Sequence, residues 1–470
     1  MLLIPFLTRD KSPLKSWVEL ISYGLKKNKW WQLTFGFAGS IIGYILFPTI
    51  KDFIIGKRIQ GSVSNRDDKY TTGLVNKGNY CYVNSALQAL SSSENMSRYL
   101  NVMYGVINEE SLQENSIPSY DLRLHVALYK LLRCLQSLIN TPNTTTTTEV
   151  TRTMENIYQS RLSSSQNDAH EFLQILLERL DTELQYCSIL ESKGLPYKGT
   201  VSEEFTCTRC RGISKAKSTT FTIFEAHLPQ KQFITLEELL LNNSSDVITD
   251  YSCLVCNARA IISLEESYEF KGTSETLKQE MLELKSRLTS IKINDDISPQ
   301  LEAFFQTYSR YGYNRDAMKT TIFKRTTFVS SPSTLIIHLS RSTYNGMVYS
   351  RNNCKVKYPE TLIANGQGDL KVNYQLKSVV KHTGNHYSGH YQCYRRKPIL
   401  KRDRTTKKVV NTTTMIGAGT MTIGNNNLRK LKSITEFPFW FLSDATTREK
   451  RLADVLDEEK SAYLLIYEKL

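Results

Sequence analysis

A cysteine at the mouth of an apolar helix and a histidine far downstream are the side chains best suited to covalent chemistry. Gly73 to Leu90 reads GLVNKGNYCYVNSALQAL, and His382 to Tyr394 reads HTGNHYSGHYQCY. A thiol attacks as its thiolate and needs a base, which a fold can deliver from anywhere in the chain. In the first stretch Gly73, Gly78 and Asn79 mark a tight loop. From Cys81, Val83, Leu87 and Leu90 recur at three- and four-residue steps, which predicts a helix starting at the cysteine. Unpaired N–H groups and the helix dipole favour a thiolate there, and the same N–H groups can hold an oxyanion. Asn76 can add a side-chain amide donor. The competing reading is a buried structural thiol, the usual fate of a lone cysteine.

His382, His386 and His390 are spaced by four, as metal ligands on a helix would be. Gly384 and Gly389 interrupt, and the preceding YQLKSVVKH alternates like a strand, so a helical metal site is rejected. One of the three is the general base, and spacing does not say which.

Four other cysteines carry a different chemistry. Cys207-x-x-Cys210 and Cys253-x-x-Cys256, with 42 residues between the pairs, predict a tetrahedral Zn2+ site of four thiolates. Four protein ligands leave no open position, so the site is structural. The cysteine total is nine, an odd number, and Cys81 must be free, which argues for a reducing compartment. Cys134, Cys187, Cys354 and Cys393 have no partner pattern and read as core or surface residues.

The two reactive stretches resemble the Cys box and His box of the ubiquitin-specific proteases, papain-like cysteine hydrolases. Gly73 to Ser85 matches G-L-x-N-x-G-N-x-C-Y-x-N-S at every fixed position, and His382, Gly384, Gly389, His390 and Tyr391 match H-x-G-x-x-x-x-G-H-Y. QNDAHEFL, Gln166 to Leu173, is similar to the family's Q-Q-D-A-H-E-F-L, with Asn167 in place of the second Gln. SAYLLIYEKL is similar to its closing strand. The resemblance implies Cys81 as nucleophile, His390 as general base and Asn76 as oxyanion donor, with Asp168 near the bound ubiquitin tail. It also implies a zinc ribbon in the fingers. The residue that orients His390 has two candidates in FWFLSDATTREKRLADVL. Alignment on Trp440 gives Asp444. Alignment on the Ser-Asp dipeptide gives Ser443, resembles the mitochondrial outer-membrane branch of the family, and is favoured.

The elements that must position these residues divide the chain. Residues 1–29 are a basic segment, 30–50 a transmembrane anchor, 51–71 a juxtamembrane linker, and 72–470 the catalytic domain. Trp30 to Ile50 is 21 residues without a charge, long enough to span a bilayer core, with Trp30 and Trp31 at one interface. Lys26, Lys27 and Lys29 precede it, and Lys51, Lys57 and Arg58 follow. A net charge of +14 arrives without a nucleic-acid motif, which favours membrane proximity. Basic flanks on a moderately apolar run fit the mitochondrial outer membrane, with the endoplasmic reticulum as the alternative. Ubiquitin conjugates are cytosolic, so the domain should face the cytosol.

Within the domain, the region to about 197 should be helical, with one stripe at Leu122, Val126, Tyr129, Leu132 and Leu135 and another at Phe172, Ile175, Leu176 and Leu180. His170 reads as a core or capping histidine. Beyond 198 the character is β-rich. Two insertions are expected: a solvated, charged helix within about 273–320, and a basic, disordered loop at 397–436. Helices followed by strands give an α+β fold class, and the resemblance implies its papain-like arrangement of palm, thumb and zinc-bearing fingers. The activity implied is hydrolysis of the isopeptide bond after the ubiquitin C-terminal glycine. The rivals are a tethered, inactive ubiquitin-binding module and a protease for another ubiquitin-like modifier.

Overall fold

A computed structural model describes residues 66–112, 122–160, 167–185, 194–344, 346–365, 371–385, 388–405, 409–411 and 428–470. The chain divides into Met1–Arg66 and Asp67–Leu470. The second unit carries everything below. The predicted anchor at 30–50 lies outside the described residues, as do Cys187 and His386. Among the described residues no helix is long and apolar enough to cross a membrane.

Among the described residues five helices come first: α1 (Cys81–Leu90), α2 (Glu94–Leu112), α3 (Arg123–Leu135), α4 (Thr148–Tyr158) and α5 (Ala169–Gln185). The predicted stripes are there but wider. Before and within α3, Leu122, Leu132 and Leu135 are buried as predicted, but the buried face also runs through Leu124, Leu128 and Leu131, and Val126 and Tyr129 are half-covered. In α5 Leu173 and Leu177 are buried where Ile175 was expected, and Ile175 is exposed.

The β-rich half holds β1 (Gly199–Cys207), β2 (Lys217–Phe221), β3 (Phe224–His227), β4 (Ser245–Tyr251), β5 (Thr320–Ser330), β6 (Thr334–Ser340), β7 (Thr361–Asn365), β8 (Lys371–Gly384), β9 (Gly389–Arg396), β10 (Phe439–Ser443), β11 (Thr446–Lys450) and β12 (Ala462–Lys469). The main sheet has the order β11-β10-β9-β8-β12-β6-β3, with β7 beside β8. Only β3 runs parallel to its neighbour. Both faces are covered. Ile336, Val380, Leu464 and Ile466 join the core under the helices, while Leu335, Ile337, Val379, Leu465 and Tyr467 join a core on the other side. A strand buried on both faces needs apolar residues at every position, which is why SAYLLIYEKL and TLIIHLSR read as runs rather than alternations. Helix α1 lies between α5 and the sheet, packed on β8, β9 and β10, and all ten of its residues are buried.

A second sheet, β2-β1-β5-β4, is antiparallel throughout. It packs one end against α6 (Leu254–Ser267), α7 (Glu275–Arg287) and α8 (Pro299–Thr307) around a third core. Here the expectation of a solvated helix needs correction. Ser274 caps α7, whose polar face does meet water, but Met281 and Leu284 are buried against α6 and α8.

The expectation of a disordered 397–436 insertion also needs correction at its ends. Leu400–Asp403 pairs with both Val409–Asn411 and Leu428–Lys430, and a short helix follows at Lys432–Glu436. Lys397 is buried, with Nζ 3.2 Å from Asp68 and 2.6 Å from Glu449. A buried ammonium is tolerated only when so paired. Asp68 ties the stretch just before residue 72 to the fold in the same way, and Thr71 Oγ1 donates to the Leu135 carbonyl at 3.0 Å.

Candidate active site

The N-terminus of α1 is Cys81, 4 % exposed, entered from a loop that Gly73 lets lie against the β10–β11 turn. A Cβ on Gly73 would sit 2.6 Å from the Ala445 carbonyl oxygen, so no side chain fits there. The close approach is used: Leu74 N–H donates to the Asp444 carbonyl at 2.9 Å.

Asn76 is held at both ends of its amide. Its Oδ1 accepts the Tyr80 N–H at 3.0 Å, and its Nδ2 donates to Asp444 Oδ2 at 3.0 Å. This fixes which way the amide points and leaves the second Nδ2 proton for another acceptor. Asn84, one turn into α1, donates to Asp444 Oδ1 at 2.7 Å. Asp444 occupies a two-residue turn between Ser443 and Thr446, at φ 49°. Aspartate is among the few residues that tolerate this left-handed conformation. Its carboxylate therefore bridges two asparagines rather than reaching the histidine.

The histidine's partner is the residue before. His390 Nε2 lies 2.9 Å from Ser443 Oγ and 4.0 Å from Asp444 Oδ2. Gln392 Nε2 donates to the same Ser443 oxygen at 3.2 Å. With Nε2 turned to Ser443, Nδ1 is the nitrogen left to exchange a proton with a thiol. Helix α1 packs directly on β9, the strand that carries His390. Gly389 allows that strand to approach β8: a Cβ there would meet His382 Nε2 at 2.3 Å.

The other histidines fall elsewhere. His382 is buried, stacked on Tyr391 at 4.4 Å, and its Nδ1 accepts from Arg351 Nη1 at 2.8 Å. Burial, and then the Arg351 charge, bring its pKa down to about 4, so it stays neutral. His170 is half-buried and stacks on His338 at 4.0 Å, and Asp168 is the residue that caps α5, accepting from His170 N–H at 2.6 Å. The other Asp168 oxygen accepts from the Tyr391 hydroxyl at 3.3 Å and from the Tyr463 hydroxyl. Asp168 thus joins α5 to the residue next to His390 and to β12.

The sequence reading missed three partners: Asn84, Gln392 and the Tyr463–Asp168 contact. Asn84 alone carried a signal, as a fixed position of the matched Cys box. Gln392 and Tyr463 become partners only through sheet pairing.

The four zinc-type cysteines meet at one end of the second sheet, where the zinc-bearing fingers were expected. Cys207 ends β1, Cys210 lies in the following turn, Cys253 caps α6 and Cys256 is in its first turn. Their sulfurs lie within 4.8 Å of one another, with Cys207–Cys256 at 3.8 Å and Cys210–Cys253 at 3.7 Å. These are not disulfide distances, and all four thiols are free. A tetrahedron with zinc–sulfur bonds of about 2.3 Å has edges of about 3.8 Å, so the residues fit the ion. Gly212 N–H points at Cys210 Sγ, 3.4 Å away. Burial and the neighbouring Cys210 and Cys207 charges push the Cys253 thiol up to about 12, so four thiolates need a cation to coexist.

Comparison with known proteins follows the same outline. The profile described as "Ubiquitin carboxyl-terminal hydrolase" matches residues 72–467. The chain is 33 % identical to ubiquitin carboxyl-terminal hydrolase 16 of Saccharomyces cerevisiae, over 91 % of this chain and 94 % of that one. It is 23 % identical to ubiquitin carboxyl-terminal hydrolase 30 of Danio rerio, over 87 % of this chain and 88 % of the other. Among solved structures, the SAGA Ubp8/Sgf11/Sus1/Sgf73 DUB module bound to ubiquitin aldehyde has a similar fold, with TM-score 0.51 at 16 % identity, over 92 % of this chain and 76 % of that one.

Proposed function

The chain belongs to the ubiquitin carboxyl-terminal hydrolase family and is a cysteine-type deubiquitinating enzyme, and on that premise we propose that Cys81, His390 and Ser443 are its catalytic triad and that it acts at a membrane surface. The observation that carries the triad is the 2.9 Å contact of His390 Nε2 with Ser443, set beside a carboxylate committed to Asn76 and Asn84.

In this reading His390 Nδ1 takes the Cys81 proton, and the thiolate attacks the carbonyl carbon of the ubiquitin C-terminal glycine. The carbonyl π electrons move to oxygen, where Asn76 Nδ2 and N–H groups at the start of α1 hold the oxyanion. Collapse expels the lysine amine, which takes the proton from His390 and leaves a thioester. Water then attacks with His390 as base, releasing the ubiquitin carboxylate and the thiol. Ser443 accepts the Nε2–H throughout, and Asp444 at 4.0 Å adds a negative charge beside the imidazolium. Asp168 lies near the ubiquitin tail. Zn2+ at Cys207, Cys210, Cys253 and Cys256 would fasten β1 to α6 and take no part in the chemistry.

The membrane reading rests on the uncharged run Trp30 to Ile50, whose basic flanks suit the mitochondrial outer membrane, with the catalytic domain in the cytosol. Within the insertion Lys401 stands opposite Lys430, and Arg402 opposite Arg429. Like charges across a strand pair repel, and none of the four has an ion-pair partner among the described residues. An anionic lipid surface is a setting that relieves this repulsion.

The test offers ubiquitin with a C-terminal electrophile to the intact chain and to Cys81→Ala, read by intact mass. An adduct only when Cys81 is present is expected. An adduct on Cys81→Ala, or none on folded, zinc-loaded protein, overturns the assignment, and the same probe on another modifier tail shows which modifier is used.

A further inference from the structure

Arg395 is a buried cation whose hydrogen-bond partners are all neutral. It is 2 % exposed. Nη1 donates to Gln88 Oε1 at 2.7 Å and to Ser91 Oγ at 2.8 Å. Nη2 donates to the Leu135 carbonyl at 3.0 Å and to Thr71 Oγ1. Burial among these groups brings its pKa down to about 10. A hydrophobic side chain would fill the same space without the cost of burying a charge. What a guanidinium adds is a rigid fork of donors with fixed directions.

Those directions reach every segment that carries a catalytic side chain. Gln88 and Ser91 end α1, whose first residue is Cys81. Gln88 also donates from Nε2 to the Thr72 carbonyl at 2.9 Å, and Thr71 and Thr72 lead into the Asn76 loop. Trp440 stands directly opposite Arg395 in the sheet, with its ring 5.1 Å from the guanidinium, on the strand that ends at Ser443. Arg395 itself is on β9, five residues after His390.

The lengths match. Five residues of strand span about 17 Å at roughly 3.4 Å each. The ten residues of α1 span about 15 Å at roughly 1.5 Å each. The helix packs on the strand, and with Ser91 fixed on Arg395 these matched lengths bring Cys81 to the level of His390. The charge also lies at the negative end of the α1 dipole, while the thiolate lies at the positive end.

We propose that Arg395 is a positioning residue that sets the axial register of α1 on β9, and so the alignment of Cys81 with His390. It touches neither substrate nor reacting atoms. Without the fork, α1 is free to slide along the strand by a fraction of a turn, which misaligns the pair while the ubiquitin-binding surface stays intact. The inference rests on the Cys81–His390 assignment proposed above.

The experiment uses the intact, zinc-loaded chain with Arg395→Met, Arg395→Lys and Ser91→Ala, assayed on ubiquitin bearing a fluorogenic C-terminal amide. Folded enzyme is counted by thermal melting and zinc content. For Arg395→Met, kcat per folded enzyme should fall about tenfold or more, with KM changed less than about twofold. The acid limb of kcat/KM should move up by about half a unit, because a misaligned imidazole stabilises the thiolate less. Arg395→Lys should recover melting temperature but not kcat, since an ammonium cannot reach all four acceptors. Ser91→Ala removes one acceptor and should lower kcat a fewfold at unchanged KM, which decides the matter if Arg395→Met does not fold. Unchanged kcat and acid limb in folded variants overturn the proposal, as does a loss seen only in KM or in the folded fraction. If the intact chain itself shows no Cys81-dependent turnover, the assignment of the pair fails instead.

Discussion

An imidazole that becomes positive beside a thiolate gains less from a hydroxyl oxygen than from a carboxylate, and His390 faces Ser443 at 2.9 Å with Asp444 at 4.0 Å. The two neighbours therefore divide the labour. Ser443 holds the ring, and Asp444 holds Asn76 and Asn84 while contributing charge at a distance. Removing one neutral hydrogen bond costs about 1 kcal/mol, so Ser443→Ala should lower kcat/KM by about fivefold. Asp444→Ala releases the amide that faces the oxyanion, and losing such a donor costs about 3 kcal/mol, so a fall of about a hundredfold or more is expected. Steady-state turnover of a fluorogenic ubiquitin amide compares them, and a milder effect for Asp444→Ala than for Ser443→Ala would show that Asn76 does not depend on that carboxylate. The loop-to-helix start at Cys81 and the strand at His390 were legible from local signals, glycines above all, whereas the choice of His390 among three histidines came from the family resemblance, because spacing carries no information on which ring faces a partner strand. Ser443 against Asp444 was open for a physical reason. They flank the boundary between a strand and a left-handed turn, where one residue of shift exchanges which side chain meets the histidine.

At the scale of elements, the chain's periodicities gave existence and type better than face. In α5 Phe172, Leu176 and Leu180 are buried as predicted, and the stripe widens through Leu173 and Leu177 on the same core, leaving Ile175 outside. The charged stretch that reads as a surface helix buries only Met281 and Leu284, too few apolar positions to outweigh its charges in a pattern. Those two residues belong to a core that also contains Cys207, Cys253 and Cys256. This core is separate from the two that flank the main sheet, and the metal should hold it together. Stripping zinc with a chelator, or Cys256→Ser, should loosen β1, β5 and α6 first. The expected kinetic result is a rise in KM of about tenfold or more with a smaller fall in kcat, because His390 stands on the main sheet and Cys81 on the helix packed against it. Hydrogen exchange would show the opening confined to the fingers. Unchanged exchange and KM after verified zinc loss would mean that this core stands without the ion.

The whole molecule joins a catalytic unit that begins at Asp67 to a segment read as a membrane anchor. Among the described residues all three apolar cores, both large sheets and every site residue lie after that boundary. On the proposed reading the anchor acts by confinement. A tethered enzyme meets substrates on the same surface at an effective concentration of about a millimolar without any new contact. A chain beginning at Asp67 should therefore match the intact chain on soluble ubiquitin conjugates, within about twofold, since the tether contributes nothing to that encounter. On a ubiquitinated protein embedded in mitochondrial outer-membrane vesicles it should be slower by about a hundredfold, and alkaline carbonate should leave the intact chain in the membrane pellet while the shortened chain stays in solution. Residual pelleting of the shortened chain that salt abolishes would belong to Lys401, Arg402, Arg429 and Lys430, because contacts between exposed charges and anionic lipid are screened over about 10 Å at 0.1 M salt. Equal rates for both chains on the vesicle-bound substrate, or carbonate extraction of the intact chain, would remove the anchor from the account and leave the catalytic unit as it stands.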